Sequence, residues 1–254
     1  NQVRAAQGQI PFEFDETLTE ALKVSPRNLV QPTHWPNIDL IGAQLNLYWA
    51  EFQVPVWRMQ LRSWALWDSL HNALSDGGLL DDYDIVLLDT PPALGYLTIN
   101  ALAAADILLV PLGASFLEFD STGRFFDMIY STFASIEESE NMAARALGRT
   151  EMAFEWDAVQ AVVTRYDDAQ QAELAGLIQA YLGRTLSPHR QDFTALIGQA
   201  GEQVNGIYEA DYRDFNRMTY ARGRETFDKT YAAFKTLLLG AWRRDELAEA
   251  QAAE

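Results

Sequence analysis

The chain has 254 residues, 48% hydrophobic and 22% charged, enough apolar material to bury a core and too much for a disordered tail. It contains no cysteine, which excludes a disulfide scaffold, a thiolate metal site and a cysteine nucleophile. Nineteen Lys and Arg stand against 36 Asp and Glu, for a net charge of −17, so nucleic acid and anionic membrane are repelled unless the bases cluster.

The longest apolar runs, such as Ile85–Leu88 and Ile107–Val110, are too short to cross a bilayer. Asn1-Gln2-Val3-Arg4 opens polar sequence without an apolar signal stretch. A cytoplasmic protein is expected. Pro11 and Asp15-Glu16-Thr17 are turn signals ahead of a short helical pattern through Leu18, Ala21 and Leu22. Pro26, Pro32 and Pro36 predict an ordered loop over 25–37, and Ile38-Asp39-Leu40-Ile41 a short strand ended by Gly42. Residues 57–75 predict a helix, with Trp57, Leu61, Trp64, Trp67, Leu70 and Leu74 at steps of three and four and Gly77-Gly78 as its stop. Its tryptophans fit an aromatic core face, or alternatively a surface that lines a cofactor or stacks bases.

Ile85-Val86-Leu87-Leu88 is a run without alternation, as a strand buried on both faces requires. A helix follows from Thr98 to Ala105, then a second strand at Ile107–Val110, a helix over 118–140 and a third strand at Ala161–Thr164. The last helix of this series runs through Leu174, Ile178 and Leu182 to Gly183. Strands alternating with helices imply right-handed crossovers and a mostly parallel, doubly wound sheet in one α/β domain over residues 1–254.

Ligands of such sheets bind at the carboxyl ends of the strands, where Asp89 stands. A carboxylate after four apolar residues has the form of a Walker B strand, whose Asp holds Mg²⁺ beside a nucleotide's phosphates. An Asp opening the turn before Pro91-Pro92 has the same form. Other chemistries find less support. His34, His71 and His189 are scattered and lack metal-ligand spacing. Gly113-Ala114-Ser115 lacks the nucleophile-elbow frame. Asp81-Asp82 and Glu137-Glu138 read as solvated faces.

The longer string from Asp84 to Leu102 carries Asp89-Thr90-Pro91-Pro92, Leu94-Gly95, Leu97-Thr98 and Asn100-Ala101-Leu102, with Val110-Pro111 following. It resembles the ParA family of partition ATPases, deviant Walker-type P-loop NTPases. Val163-Thr164-Arg165-Tyr166-Asp167, and Tyr208-Glu209 with Arg217, Tyr220, Arg222, Asp228 and Trp242, are similar to the RepA-type members of repABC plasmid systems. The resemblance implies the ParA/MinD-like fold and Asp89 as the Walker B carboxylate that supports Mg²⁺. It makes Thr90, Pro91, Pro92 and Gly95 part of switch II, which senses the γ-phosphate, and sets Thr164 and Arg165 beside adenine. It further implies a homodimer with bound ATP, non-specific DNA binding on the nucleoid, and hydrolysis stimulated by a ParB/RepB-type partner.

Two features depart from the family pattern. Gly223 stands where the subgroup usually has Ala, which should loosen its helix by about 1 kcal/mol. The three lysines follow Leu22, Asp228 and Phe234, so no Gly-Lys pair exists in the sequence, whereas a P-loop requires one. The chain is therefore expected to be the C-terminal portion of such an ATPase domain, beginning after switch I, and inactive alone. The alternative is a non-catalytic relative that keeps the fold for dimerisation or partner binding.

Residues 211–235 hold six bases against four acids, a surplus within an acidic chain. Arg213, Arg217 and Arg224 share one helix face if the helix is continuous. With Arg222 they are the candidate DNA contacts by resemblance, while pairs such as Asp214 with Arg217 or Arg224 with Asp228 offer an intrahelical use. The tail from Phe234 to Arg244 admits an amphipathic membrane anchor, but Asp245, Glu246, Glu249 and Glu254 follow and oppose anionic lipid. A terminal helix docked on the domain, with no membrane partner, is expected.

Overall fold

The computed structural model describes residues 26–43, 45–60, 66–202 and 206–252. The helical pattern through Leu18 and Leu22 lies outside these residues, as do Leu61 and Trp64. The chain divides into two compact units, residues 1–105 and 106–254, each described by itself.

In the first unit, strand β1 (Gln31–Pro32) pairs antiparallel with β2 (Asp39–Leu40). The strand expected at 38–41 forms, and the proline-bearing stretch ahead of it supplies the partner instead of remaining loop. Proline is tolerated because a two-stranded ribbon leaves it on an edge. Thr33 closes the turn: its Oγ1 donates to the Ile38 carbonyl at 2.6 Å and accepts from the Trp35 amide at 3.1 Å.

The helix expected over 57–75 is two helices, α1 (Ala50–Gln60) and α2 (Ser69–Asp76), with a turn at 66–68. Asn100 makes the break tolerable. Its Nδ2 donates to the Leu66 carbonyl at 3.0 Å, and its Oδ1 accepts from the Leu70 amide at 3.3 Å and the Ser69 hydroxyl at 2.7 Å. Backbone groups that a continuous helix would pair are thus satisfied by one buried side chain. Helix α3 (Leu79–Asp82) follows, and α4 (Tyr96–Ala104) ends the unit. Trp57 is buried with Val54, Leu70, Leu74, Leu79 and Ala101, the aromatic core reading at that position.

The second unit is built on β3 (Ile107–Gly113) and β4 (Ala158–Thr164), parallel and in register from Ile107↔Ala158 to Gly113↔Thr164. Helix α5 (Phe116–Leu147) makes the crossover and ends at Gly148, whose φ of 63° is the left-handed cap that glycine adopts without strain. Helix α6 (Asp168–Leu182) follows β4. Residues 186–193 then run parallel to β4 as an irregular strand, through bridges Ala161↔Leu186 and Tyr166↔Asp192. Helices α7 (Ala195–Glu202) and α8 (Arg217–Ala252) complete the unit. Along α8, Ala241 is buried and Phe234, Leu237 and Leu238 are half-buried, so that face packs on protein. Among the described residues no helix is long and apolar enough to cross a membrane.

Gly223 has a packing reason that helix propensity conceals. A Cβ there would lie 2.6 Å from Cδ2 and 3.0 Å from Cβ of Leu196, a side chain with 0% exposure. The glycine lets α7 approach α8. Gly223→Ala gains about 1 kcal/mol of helix propensity but meets an overpacking cost of about 1–3 kcal/mol. Chemical denaturation should show the variant less stable than wild type; a more stable variant would remove the packing explanation.

Candidate functional site

Residues 85–88 are not a strand. Ile85, Val86 and Leu87 are 44%, 38% and 78% exposed, and the backbone from 85 to 90 joins no ladder. A parallel strand exists only as half of a pair; among the described residues β1 pairs with β2 and β3 with β4. The apolar run is therefore extended but unpaired, and Asp89 and Thr90 follow it with exposed side chains.

Beyond Asp89 the signature tightens onto α4. The Pro91 carbonyl accepts from the Ala93 amide at 2.8 Å, and Thr98 Oγ1 donates to the Ala93 carbonyl at 2.5 Å. Glu51, from α1, accepts from the Tyr96 amide at 2.6 Å and the Leu97 amide at 3.1 Å. A carboxylate here satisfies two unpaired helix-terminal donors and meets the positive end of the helix dipole. Gly95 makes the approach possible, since a Cβ at that position would meet the Glu51 carboxylate. Trp67 stacks on Tyr96 with ring centroids 5.5 Å apart. Glu51 went unnoticed in the sequence because it lies 45 residues from Tyr96, with no local motif to mark it.

In the second unit, Thr164 and Arg165 stand at the carboxyl end of β4. Thr164 Oγ1 donates to the Leu112 carbonyl at 3.4 Å. Arg165 adopts φ 53°, uncommon for a side-chain-bearing residue, and its guanidinium pairs with Glu118. Ser115 caps the start of α5 and Glu118 braces the cap: the Glu118 amide donates to Ser115 Oγ at 3.2 Å, and its Oε2 accepts from the Ser115 hydroxyl at 2.9 Å. Gly113 again makes room, because a Cβ would coincide with that carboxylate. The Ser-x-x-Glu spacing at 115–118 is a local signal for a helix start; the link to Arg165 has no local signal.

The helix is not continuous back to Arg213, so Arg213 does not share a face with Arg217 and Arg224. Arg213 precedes α8, in the short 3-10 turn Tyr212–Asp214; the extended backbone at Phe215 separates it from the helix. Its Nε donates to both Asp211 oxygens at 3.0 Å. These bonds, with the Arg213 amide on the same carboxylate, hold Asp211 down at about 2. Arg224 lies over the Tyr208 ring, 4.2 Å from its centroid, and 4.0 Å from Asp228. Arg222 is 3.4 Å from Asp192. Arg217 is exposed in the first turn of α8, and among the described residues Asp214 makes no ion pair with it. Arg213 is thus tightly paired, Arg224 is covered by the Tyr208 ring with Asp228 at the limit of pairing distance, and Arg222 is loosely paired.

A family model described as AAA domain matches residues 2–143. A Sinorhizobium fredii protein provisionally named replication protein A is 28% identical over 246 residues, covering 93% of this chain and 57% of its own length. SopA of Escherichia coli is 31% identical over 108 residues, covering 42% of this chain and 28% of SopA. Among solved structures, apo McdA of Cyanothece matches with a TM-score of 0.63 at 21% identity, covering 91% of this chain and 82% of McdA. An ATP complex of a McdA variant matches with a TM-score of 0.62 at 20% identity, covering 89% and 80%. The chain thus spans 57% of the length of the Sinorhizobium fredii relative.

Two outcomes test this geometry. Glu51→Ala should lower stability by about 1 kcal/mol, the usual worth of a helix cap, and Glu51→Gln should recover part of it; equal stability of all three proteins contradicts the cap. The Asp211 carboxyl is depressed from 3.8 to about 2, so its contribution is present above the ordinary value and is lost as pH falls from 3.8 towards 2. A carboxylate NMR titration should find that midpoint, and Arg213→Ala should return it towards the ordinary value; a wild-type midpoint at the ordinary value contradicts the pair.

Proposed function

The chain belongs to the AAA-domain family of ParA-type partition ATPases and has their α/β fold of the P-loop NTPase type, and from that membership we propose that the whole protein is a DNA-segregation ATPase close to RepA. In this reading it binds Mg-ATP, forms a homodimer, binds DNA without sequence preference in the cytoplasm, and is stimulated to hydrolyse ATP by a ParB/RepB-type partner. Plasmid partition is the cellular role. Residues 1–254 act as one α/β domain.

The observation that carries the reading is the signature from Asp89 to Asn100, whose two halves differ in environment. Asp89 and Thr90 offer exposed oxygen donors, a donor set suited to Mg²⁺ directly or through water. A bound Mg²⁺ would neutralise phosphate charge. Pro91, Pro92 and Gly95 lie between that exposed carboxylate and the Glu51-capped end of α4, so a shift at the phosphate side would be transmitted to a helix terminus. The ATP-bound form of McdA supports nucleotide binding by this fold. Thr164 and Arg165, at a strand's carboxyl end, would flank adenine.

The 254 residues contain no Gly-Lys pair and so no lysine to reach the terminal phosphates from a phosphate loop; this polypeptide alone should not hydrolyse ATP. The alternative for the whole protein is a non-catalytic scaffold that keeps the fold for dimerisation or partner binding. Nucleotide dependence separates the two: DNA binding by the whole protein rises with Mg-ATP if it is a partition ATPase and is indifferent to it if it is a scaffold.

Among Arg213, Arg217, Arg222 and Arg224, the DNA contacts should fall chiefly on Arg217 and Arg222, whose charges are least engaged. Arg217→Ala with Arg222→Ala should weaken binding to random-sequence duplex and flatten the plot of log affinity against log salt by about two. An unchanged slope removes both residues from the interface.

A further inference from the structure

A cavity of about 350 Å³ lies in the second unit between the irregular strand 187–192 and the first part of α8. Its wall includes Arg190, Arg222 and Lys229, with Asp192, Glu225 and Tyr166. Three cations against two carboxylates is a local excess of positive charge in a chain of −17. Lys229 is matched by Glu225 at 2.6 Å and Arg222 loosely by Asp192 at 3.4 Å. Arg190 is different. Among the described residues it makes no ion pair, and its guanidinium carbon sits 4.7 Å from the centroid of the Tyr166 ring.

The surroundings hold that charge in place. Tyr166 is 4% exposed; its amide donates to the Gln191 carbonyl at 3.0 Å, and its carbonyl accepts from the Phe193 amide at 2.9 Å. Thr226, on α8, ties the opposite wall. Its Oγ1 accepts from the Asp192 amide at 2.8 Å and donates to the Arg190 carbonyl at 3.2 Å. An uncompensated guanidinium, stacked on a fixed ring and facing a space larger than a phosphate group, loses little freedom when it binds an oxyanion through its fork. Lys229 and Arg222 can turn from their carboxylates to share the charge.

We propose that this cavity is a phosphate-binding site anchored by Arg190, with Asp192 and Glu225 as intramolecular competitors for its cations. The source of the phosphate rests on the DNA-binding reading above: the backbone of duplex DNA if that reading holds, a small phosphate compound if it does not.

The test uses the full chain and two probes, random-sequence duplex followed by anisotropy and inorganic phosphate followed by arginine side-chain NMR. Arg190→Gln should weaken binding about tenfold, the worth of one charge-assisted hydrogen bond. Asp192→Asn, which frees Arg222, should strengthen it. A charge change of opposite effect cannot be produced by loss of folding. Arg149→Gln, on the exposed loop after α5, should change neither. If both probes respond, the site holds and DNA is its source. If only inorganic phosphate responds, the site holds for a small phosphate compound, whether or not the chain binds duplex elsewhere. If duplex binds but neither probe responds to Arg190→Gln or Asp192→Asn, the site is overturned while the DNA reading stands. If neither probe binds wild type, both are overturned.

Discussion

The first unit depends on a carboxylate seated on a helix end. Glu51 takes two amides of α4 that would otherwise face water or nothing, and a Cβ at position 95 would push its carboxylate from that seat. The same helix fills the break between α1 and α2 through Asn100 and holds the preceding loop through Thr98. The signature segment therefore has a fixed end and an exposed end. Its fixed end is built from hydrogen bonds that are costly to leave unmade; its exposed end carries Asp89. An element of that kind can be displaced at one side while the other keeps its register, the property a nucleotide switch requires.

The second unit manages its charge by engaging it. Glu118 is at once the cap of α5 and the counter-ion of Arg165, which orients that arginine at the strand end. Arg213 is committed to Asp211, and Arg224 to Tyr208 and Asp228. In so acidic a chain the long-range field repels a polyanion, so the proposed DNA binding would rest on cations whose partners are loose or missing. Arg217, Arg222 and Arg190 are among those cations, and two of them line one cavity.

Much of this was legible in the sequence. The parallel pair β3 and β4, the helices that follow them and the Gly183 boundary came from apolar runs alternating with helical periodicity. The signature gave the family, now supported by the AAA-domain match over residues 2–143. Three differences between sequence pattern and structure share a cause. The apolar run at 85–88 carries the pattern of a buried strand, but pairing depends on a neighbour that local pattern does not contain. The periodicity from Trp57 to Leu74 continues through a turn whose hydrogen bonds come from Asn100. Gly223 was weighed by propensity alone, whereas Leu196 decides its value. Glu51 and Arg190 escaped for the same reason, since each matters through a contact distant in sequence.

If the exposed end of the signature serves a metal-bound nucleotide, the carboxylate of Asp89 must couple ATP affinity to Mg²⁺ in the whole protein. The direct measurement is ATP binding by calorimetry with and without Mg²⁺, for wild type and Asp89→Asn. The account predicts that Mg²⁺ tightens binding in wild type and that the variant loses most of that gain while binding metal-free ATP as before. An identical Mg²⁺ enhancement in both proteins would contradict it.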